Sequence, residues 1–163
     1  ALCEQKFGIT AHHPQTFLDG KLDTNFSIIS LWHVFEHVYQ FDAYFDLFSN
    51  SLAENGVLIL ALPNCDSWDA KMYQSYWNAY DTPRHIWHFT PQTLQLFAEK
   101  RGFKIIKKHR LPLDPFFNAM VSDSYKDRFT FLPVTLLKGL AAYLASLINI
   151  DKSSSIIYVL KKA

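Results

Sequence analysis

The sequence of 163 residues predicts an α/β domain built on a parallel sheet covered by helices, and three observations carry that prediction. First, two short and nearly continuous apolar runs, residues 26–31 (FSIISL) and 57–62 (VLILAL), read as strands buried on both faces. Second, between them Phe41, Phe45, Phe48 and Leu52 recur at helical spacing, so residues 35–52 read as a helix with one buried face. Third, each strand ends on polar residues, Trp32-His33 after the first and Pro63-Asn64 after the second. In open sheets of this class ligands sit beyond the carboxyl ends of the strands, so His33 and Asn64 share the rim where function is expected.

The remaining elements follow in chain order. Residues 1–7 read as a helix already under way, which predicts that the chain is part of a longer domain. Residues 9–17 read as a short strand weakened by Pro14. Asp19-Gly20 and Asp23-Thr24-Asn25 are turn chemistry. Glu54-Asn55-Gly56 is expected to end the helix, with Gly56 in the left-handed closing position. Thr90-Pro91 pairs a hydroxyl N-cap with Pro at the first helical position. Leu94, Phe97 and Ala98 then face inward, and Gly102 closes the helix. Residues 103–110 and 155–161 read as strands. Between them residues 111–152 form a helical insertion, with one helix near 116–125 and an apolar one near 134–148. The whole chain, 1–163, reads as a single domain without internal repeats.

Composition narrows the function classes. Hydrophobic residues make up 49% of the chain and aromatics 16%, which requires a folded core. The formal net charge is +1, so no strong field recruits nucleic acid. The basic series Lys100, Arg101, Lys104, Lys107, Lys108, Arg110 reads as a solvated helix end and a Lys-guarded outer strand. Cys3 and Cys65 are too few for a disulfide framework and lack metal-type pairing, which fits a reducing, cytoplasmic location. Residues 129–150 approach spanning length, yet Pro133 and Lys138 interrupt them. A buried or substrate-lining helix is preferred there, and no stable membrane span is expected.

Two constellations carry chemistry. His33-Val34-Phe35-Glu36-His37 matches the H-x-x-E-H pattern in which two His one turn apart bind zinc and Glu activates water. No other glutamate (Glu4, Glu54, Glu99) stands in an obvious ligand context, so zinc hydrolysis remains an alternative and no metal is assigned. The second is residues 76–89 (YWNAYDTPRHIWHF), a loop rich in aromatics and His that suits a substrate platform. His85 or His88 is suited to serve there as a general base near neutral pH.

In this order, FSIISLWHVFEHV, SLAENGVLILALPNCDSW and YWNAYDTPRHIWHFTPQTLQLFAEKRGFKII resemble the C-terminal two-thirds of class I S-adenosylmethionine-dependent methyltransferases. The subgroup they most resemble is that of the ubiquinone-biosynthesis O-methyltransferases. The resemblance implies a partial Rossmann-like sheet in which residues 26–31, 57–62, 103–110 and 155–161 are the family's fourth to seventh strands. The seventh would lie antiparallel between the fifth and sixth. It further implies that Leu31, Trp32, His33 and His37 border S-adenosylmethionine, with Glu36 and His37 at the start of the next helix. Asn64, Tyr80, Arg84 and Trp87 would face a small-molecule acceptor, Arg84 as anchor for an anionic group. His85 or His88 would take the proton from an oxygen acceptor.

The family's glycine-rich loop has no counterpart among the five glycines, no two of which form G-x-G. The expectation is therefore a fragment inactive alone, with one edge of the 26–31 strand exposed. Self-association through that edge, or coverage by the N-terminal segment, is predicted. A non-catalytic domain that keeps the fold is the other alternative.

Overall fold

The computed structural model describes residues 2–20, 25–126 and 131–163. Ala1, Asp23, Thr24 and Phe129, which the expected first helix, turn and apolar stretch include, lie outside the described residues.

Among the described residues one sheet holds β1 (Phe26–Trp32), β2 (Leu52–Pro63), β3 (Phe103–Arg110) and β4 (Ser155–Lys162). The order is β1-β2-β4-β3, with β1 parallel to β2 and β4 antiparallel to both its neighbours. This is the Rossmann-like α/β arrangement expected, the last strand of the chain lying antiparallel inside the sheet. Helices α3 (Phe41–Ser51) and α5 (Pro91–Lys100) close over the same apolar cluster. Phe45 sits inside that cluster, with its ring centroid 5.4 Å from Phe35, 5.1 Å from Phe97 and 5.6 Å from Phe103. The N-terminus of α5 is built as expected: Thr90 and Thr93 bond each other's backbone N–H groups in a capping box. Gly102, at φ +73°, follows it in the left-handed region.

A second, smaller cluster joins α4 (Trp68–Tyr73) and the turns after it to α6 (Asp114–Lys126), with Ala70, Tyr73, Trp77 and Ala119 buried. Helix α7 (Leu132–Ile148) packs on α6 through Thr135, Gly139, Ala142 and Ser146. A Cβ on Gly139 would meet the Phe116 side chain at 2.7 Å, so the two helices approach as closely as they do because this residue has none.

Four local expectations are corrected. Residues 9–17 form no strand; after the N-terminal helix α1 (Leu2–Phe7), Pro14 instead opens the short helix α2 (Pro14–Leu18), where its missing N–H costs nothing, and His13 accepts from Gln15 N. The helix expected over 35–52 is two elements, a 3-10 turn at Phe35–His37 and α3. Continuation would require the Glu36 carbonyl to accept from residue 40, but that oxygen already accepts from Ile86 and Trp87 at 2.9 and 3.2 Å. Gly56 does not close a helix: it lies within β2, where pairing jumps from Phe26 opposite Leu52 to Ile28 opposite Val57. A Cβ there would stand 2.8 Å from the Phe26 carbonyl, so the residue is small because two backbones nearly touch. Finally, the apolar helix of the 111–152 segment is not buried. Its small residues face inward and its large ones outward, Leu137 being 64% and Ile148 90% exposed.

The outer edge of β1 remains uncovered among the described residues, with Ile28 60% exposed. The N-terminal segment packs elsewhere, Phe17 lying against Phe48 of α3.

Candidate active site at the rim of β1

Beyond the carboxyl end of β1 the chain turns sharply: His33 takes φ +51° while its N–H still donates to the Ala61 carbonyl of β2 at 3.0 Å. The 3-10 turn that follows buries Phe35 in the core and drags Glu36 in beside it. Among the described residues neither oxygen of the buried Glu36 carboxylate has a hydrogen-bond partner. Its neighbours are imidazoles, His33 Nδ1 at 3.3 Å and His85 Nε2 at 3.9 Å. The Glu36 contact, opposed by partial burial and aided by Asp114, raises the His33 pKa above its ordinary value.

The 76–89 loop is fastened to this turn. Besides the two bonds to the Glu36 carbonyl, Trp87 Nε1 donates to Val38 O at 2.8 Å, and the His37 Nδ1 bonds the Arg84 carbonyl at 2.9 Å. His37 and His85 meet edge to face with centroids 4.7 Å apart. His85 Nδ1 lies 2.8 Å from the Ala79 carbonyl. A carbonyl oxygen only accepts, so Nδ1 carries a proton, and in the neutral ring Nε2 holds the lone pair. That lone pair stands 3.9 Å from Glu36 and 4.0 Å from Asp81.

These groups open on a cavity of about 360 Å³, lined by His33, Asp81, Arg84, His85, Asp114 and Asn118 among others. Asp114 enters from the first turn of α6, 3.8 Å from His33 Nε2. Asp81, Asp114, Asn118 and the buried state of Glu36 escaped the sequence reading. The one local signal was Asp114-Pro115, which marks a helix start pointing back at the rim.

Of the other expected residues Arg84 lines this cavity, and the rest stand apart. His88 faces a separate aromatic cavity of about 670 Å³ with Tyr39, Phe41, Trp87, Phe89 and Phe97, and its Nε2 bonds the Tyr80 carbonyl at 2.9 Å. Tyr80 packs edge to face on both Trp77 and His88, and burial raises its pKa. Arg84 holds Asp81 at 2.7 Å with its side chain 75% exposed. Asn64 is buried and fully engaged with backbone: its amide donates to the Asp151 and Ser153 carbonyls, and its oxygen accepts from Asp66 N. Leu31 packs against the core, while Trp32 is 52% exposed at the open end of β1.

A family model described as a methyltransferase domain matches residues 3–108, more than half of the chain. The chain belongs to the methyltransferase-domain family. No curated protein sequence matches it. Among solved structures it is similar to an S-adenosylmethionine-dependent methyltransferase from Archaeoglobus fulgidus (TM-score 0.54, 16% identity, 99% of this chain and 70% of that one). It is similar also to a provisionally assigned sarcosine dimethylglycine methyltransferase from Galdieria sulphuraria (TM-score 0.53, 13% identity, 90% of this chain and 57% of that one). A third is the O-methyltransferase of the trans-AT PKS multienzyme of Brevibacillus brevis, solved with S-adenosyl-L-homocysteine (TM-score 0.52, 16% identity, 87% and 46%). The chain thus spans little more than half of the Galdieria sulphuraria relative, and these likenesses establish the fold.

The residues present fit one side of such a cofactor. Two carboxylates lining the rim cavity, Asp81 and Asp114, with Glu36 buried behind His85, suit a cationic sulfonium, and the exposed Trp32 offers an apolar wall at the end of β1. No glycine cradle stands there: Gly8 and Gly20, though at positive φ, have no atom within 4 Å of where a Cβ would be. A metal ion has a different candidate set. Ligand atoms of Glu36, His37 and His85 lie within 4.8 Å of one another. His33 is not in that set, so the H-x-x-E-H pairing of His33 with His37 is not what the structure assembles.

Proposed function

We propose that this chain is the acceptor-side portion of a methyltransferase that moves a methyl group from S-adenosylmethionine to a hydroxyl of a small molecule. The observation that carries the reading is the tautomer of His85, whose free Nε2 lone pair lies beside two carboxylates in the rim cavity. S-adenosylmethionine supplies a methyl group bound to a positively charged sulfur. Leu31, Trp32, His33 and His37 border it, and the carboxylate of Glu36 favours its charge. His85 accepts the acceptor's proton at Nε2, and Glu36 and Asp81 stabilise the imidazolium that results. Asn64 is a positioning residue that ties the end of β2 to the 151–153 turn. Trp87 lines the separate aromatic cavity and Tyr80 packs on its His88, so neither walls the rim site, and Arg84 reaches an anionic acceptor group only by leaving Asp81.

In the intact protein, His85→Ala is expected to lower turnover by roughly 10²–10⁴-fold with little change in the KM for the methyl donor. His88→Ala, altered on the aromatic cavity, should lose much less. Equal losses from the two variants would remove His85 from this role. Stoichiometric bound zinc by elemental analysis would instead favour the hydrolytic alternative at Glu36, His37 and His85.

The open β1 edge is proposed to pair with a second copy. Sedimentation velocity should show a dimer that Ile28→Lys converts to monomer, whereas a monomeric unaltered chain contradicts this pairing.

A further inference from the structure

We propose that the outer face of the α6–α7 hairpin seats in the interfacial layer of an anionic phospholipid bilayer. Helix α7 is built inside out. The residues it buries are Thr135, Gly139, Ala142 and Ser146, all small, while Leu132, Leu136, Leu137, Leu140, Leu144 and Ile148 face solvent. At about 100° per residue these outward positions sweep roughly 160° of the helix surface, and Val134 extends the arc to about 200°. No charged residue interrupts it. Exposed Leu113, just before α6, and exposed Phe117 and Met120 on it add to the same character.

The width of the arc argues for the occupant. A helix that packs on a protein core needs an apolar stripe a little over about 100° wide. A convex face twice that width is matched by a fluid layer into which a helix sinks about 5–10 Å. Charge points the same way. Both described carboxylates of the hairpin turn away from the face: Asp123 is buried between Thr135 and Lys138, whose Nζ is 2.6 Å from it, and Asp114 faces His33. Exposed Lys126 ends α6, and exposed Lys104 and Lys107 stand on β3, from which the hairpin departs. A cation at the end of α6, with both described carboxylates of the hairpin turned from the face, favours anionic headgroups. The helix lies on the layer and does not cross it: 17 residues reach about 25 Å, short of the ~30 Å hydrocarbon core, and no described helix is long and apolar enough to span.

Flotation of the 163-residue chain with vesicles tests this. The chain should float with vesicles of phosphatidylcholine and phosphatidylglycerol, and less with phosphatidylcholine alone. Leu137→Glu combined with Leu144→Glu, both at exposed positions, should cut the bound fraction roughly tenfold or more with an unchanged circular dichroism spectrum. Failure of the unaltered chain to float with either vesicle overturns the proposal. So does equal flotation of the double variant. A dimer in buffer that the double variant dissociates, with no flotation, would assign the face to a second copy and overturn it as well.

Discussion

Glu36 is the residue on which the rim depends. Its carboxylate is fully buried and is approached by two imidazoles, and its contact with His33 is the main cause of that group's raised pKa. The consequence can be read at His33. With its pKa raised, His33 binds a proton more tightly folded than unfolded. Its contribution to stability is therefore complete below its ordinary value of 6.5 and is lost as the pH rises through the raised one. Imidazole NMR should show His33 titrating above 6.5, and Glu36→Gln should move it down. A titration unchanged by that substitution would mean that Glu36 does not set the charge of the rim. Motif spacing alone could not reveal this, because H-x-x-E-H suggests His33 and His37 on one face of a helix. The 3-10 turn instead sends His33 toward Asp114 and His37 toward His85.

At the scale of elements, the sequence was most legible where backbone chemistry is local. Thr90-Pro91, Gly102 and the apolar runs mark helix and strand ends without reference to the rest of the chain, and α5 and β3 lie where those signals place them. It was least legible where a distant segment decides. Ile86 and Trp87 take the carbonyl that would have continued the helix past Glu36, and Phe26 explains Gly56. Thr90→Ala should cost about 1 kcal/mol by loss of the cap. Gly56→Ala should cost at least that much by pressing a methyl group against the Phe26 carbonyl. Urea denaturation of both variants checks this pair, and a neutral Gly56→Ala would show that the β1–β2 bulge yields freely.

For the whole molecule, sheet order and strand polarity were expected from the resemblance, and the observed β1-β2-β4-β3 order agrees. The site was half legible. The loop holding His85 was recognisable from its composition, but the side from which each histidine is approached depends on tertiary contacts. His85 joins the rim and His88 the aromatic cavity, although only two residues separate them. The exposed apolar helix was hidden for a related reason: a run of leucines has the same composition whether its large residues face a core or solvent.

The central claim is that the end of β1 receives the sulfur-bearing side of the methyl donor. NMR titration of S-adenosylhomocysteine into the chain, followed at the imidazole and indole signals, tests it most directly and detects weak binding. The account predicts saturable shifts at Trp32, His33 and His85, with His12, His13 and His88 unmoved. Shifts confined to the aromatic cavity around His88, or no shift at the rim at millimolar ligand, would contradict it and favour a domain that keeps the fold without the catalysis.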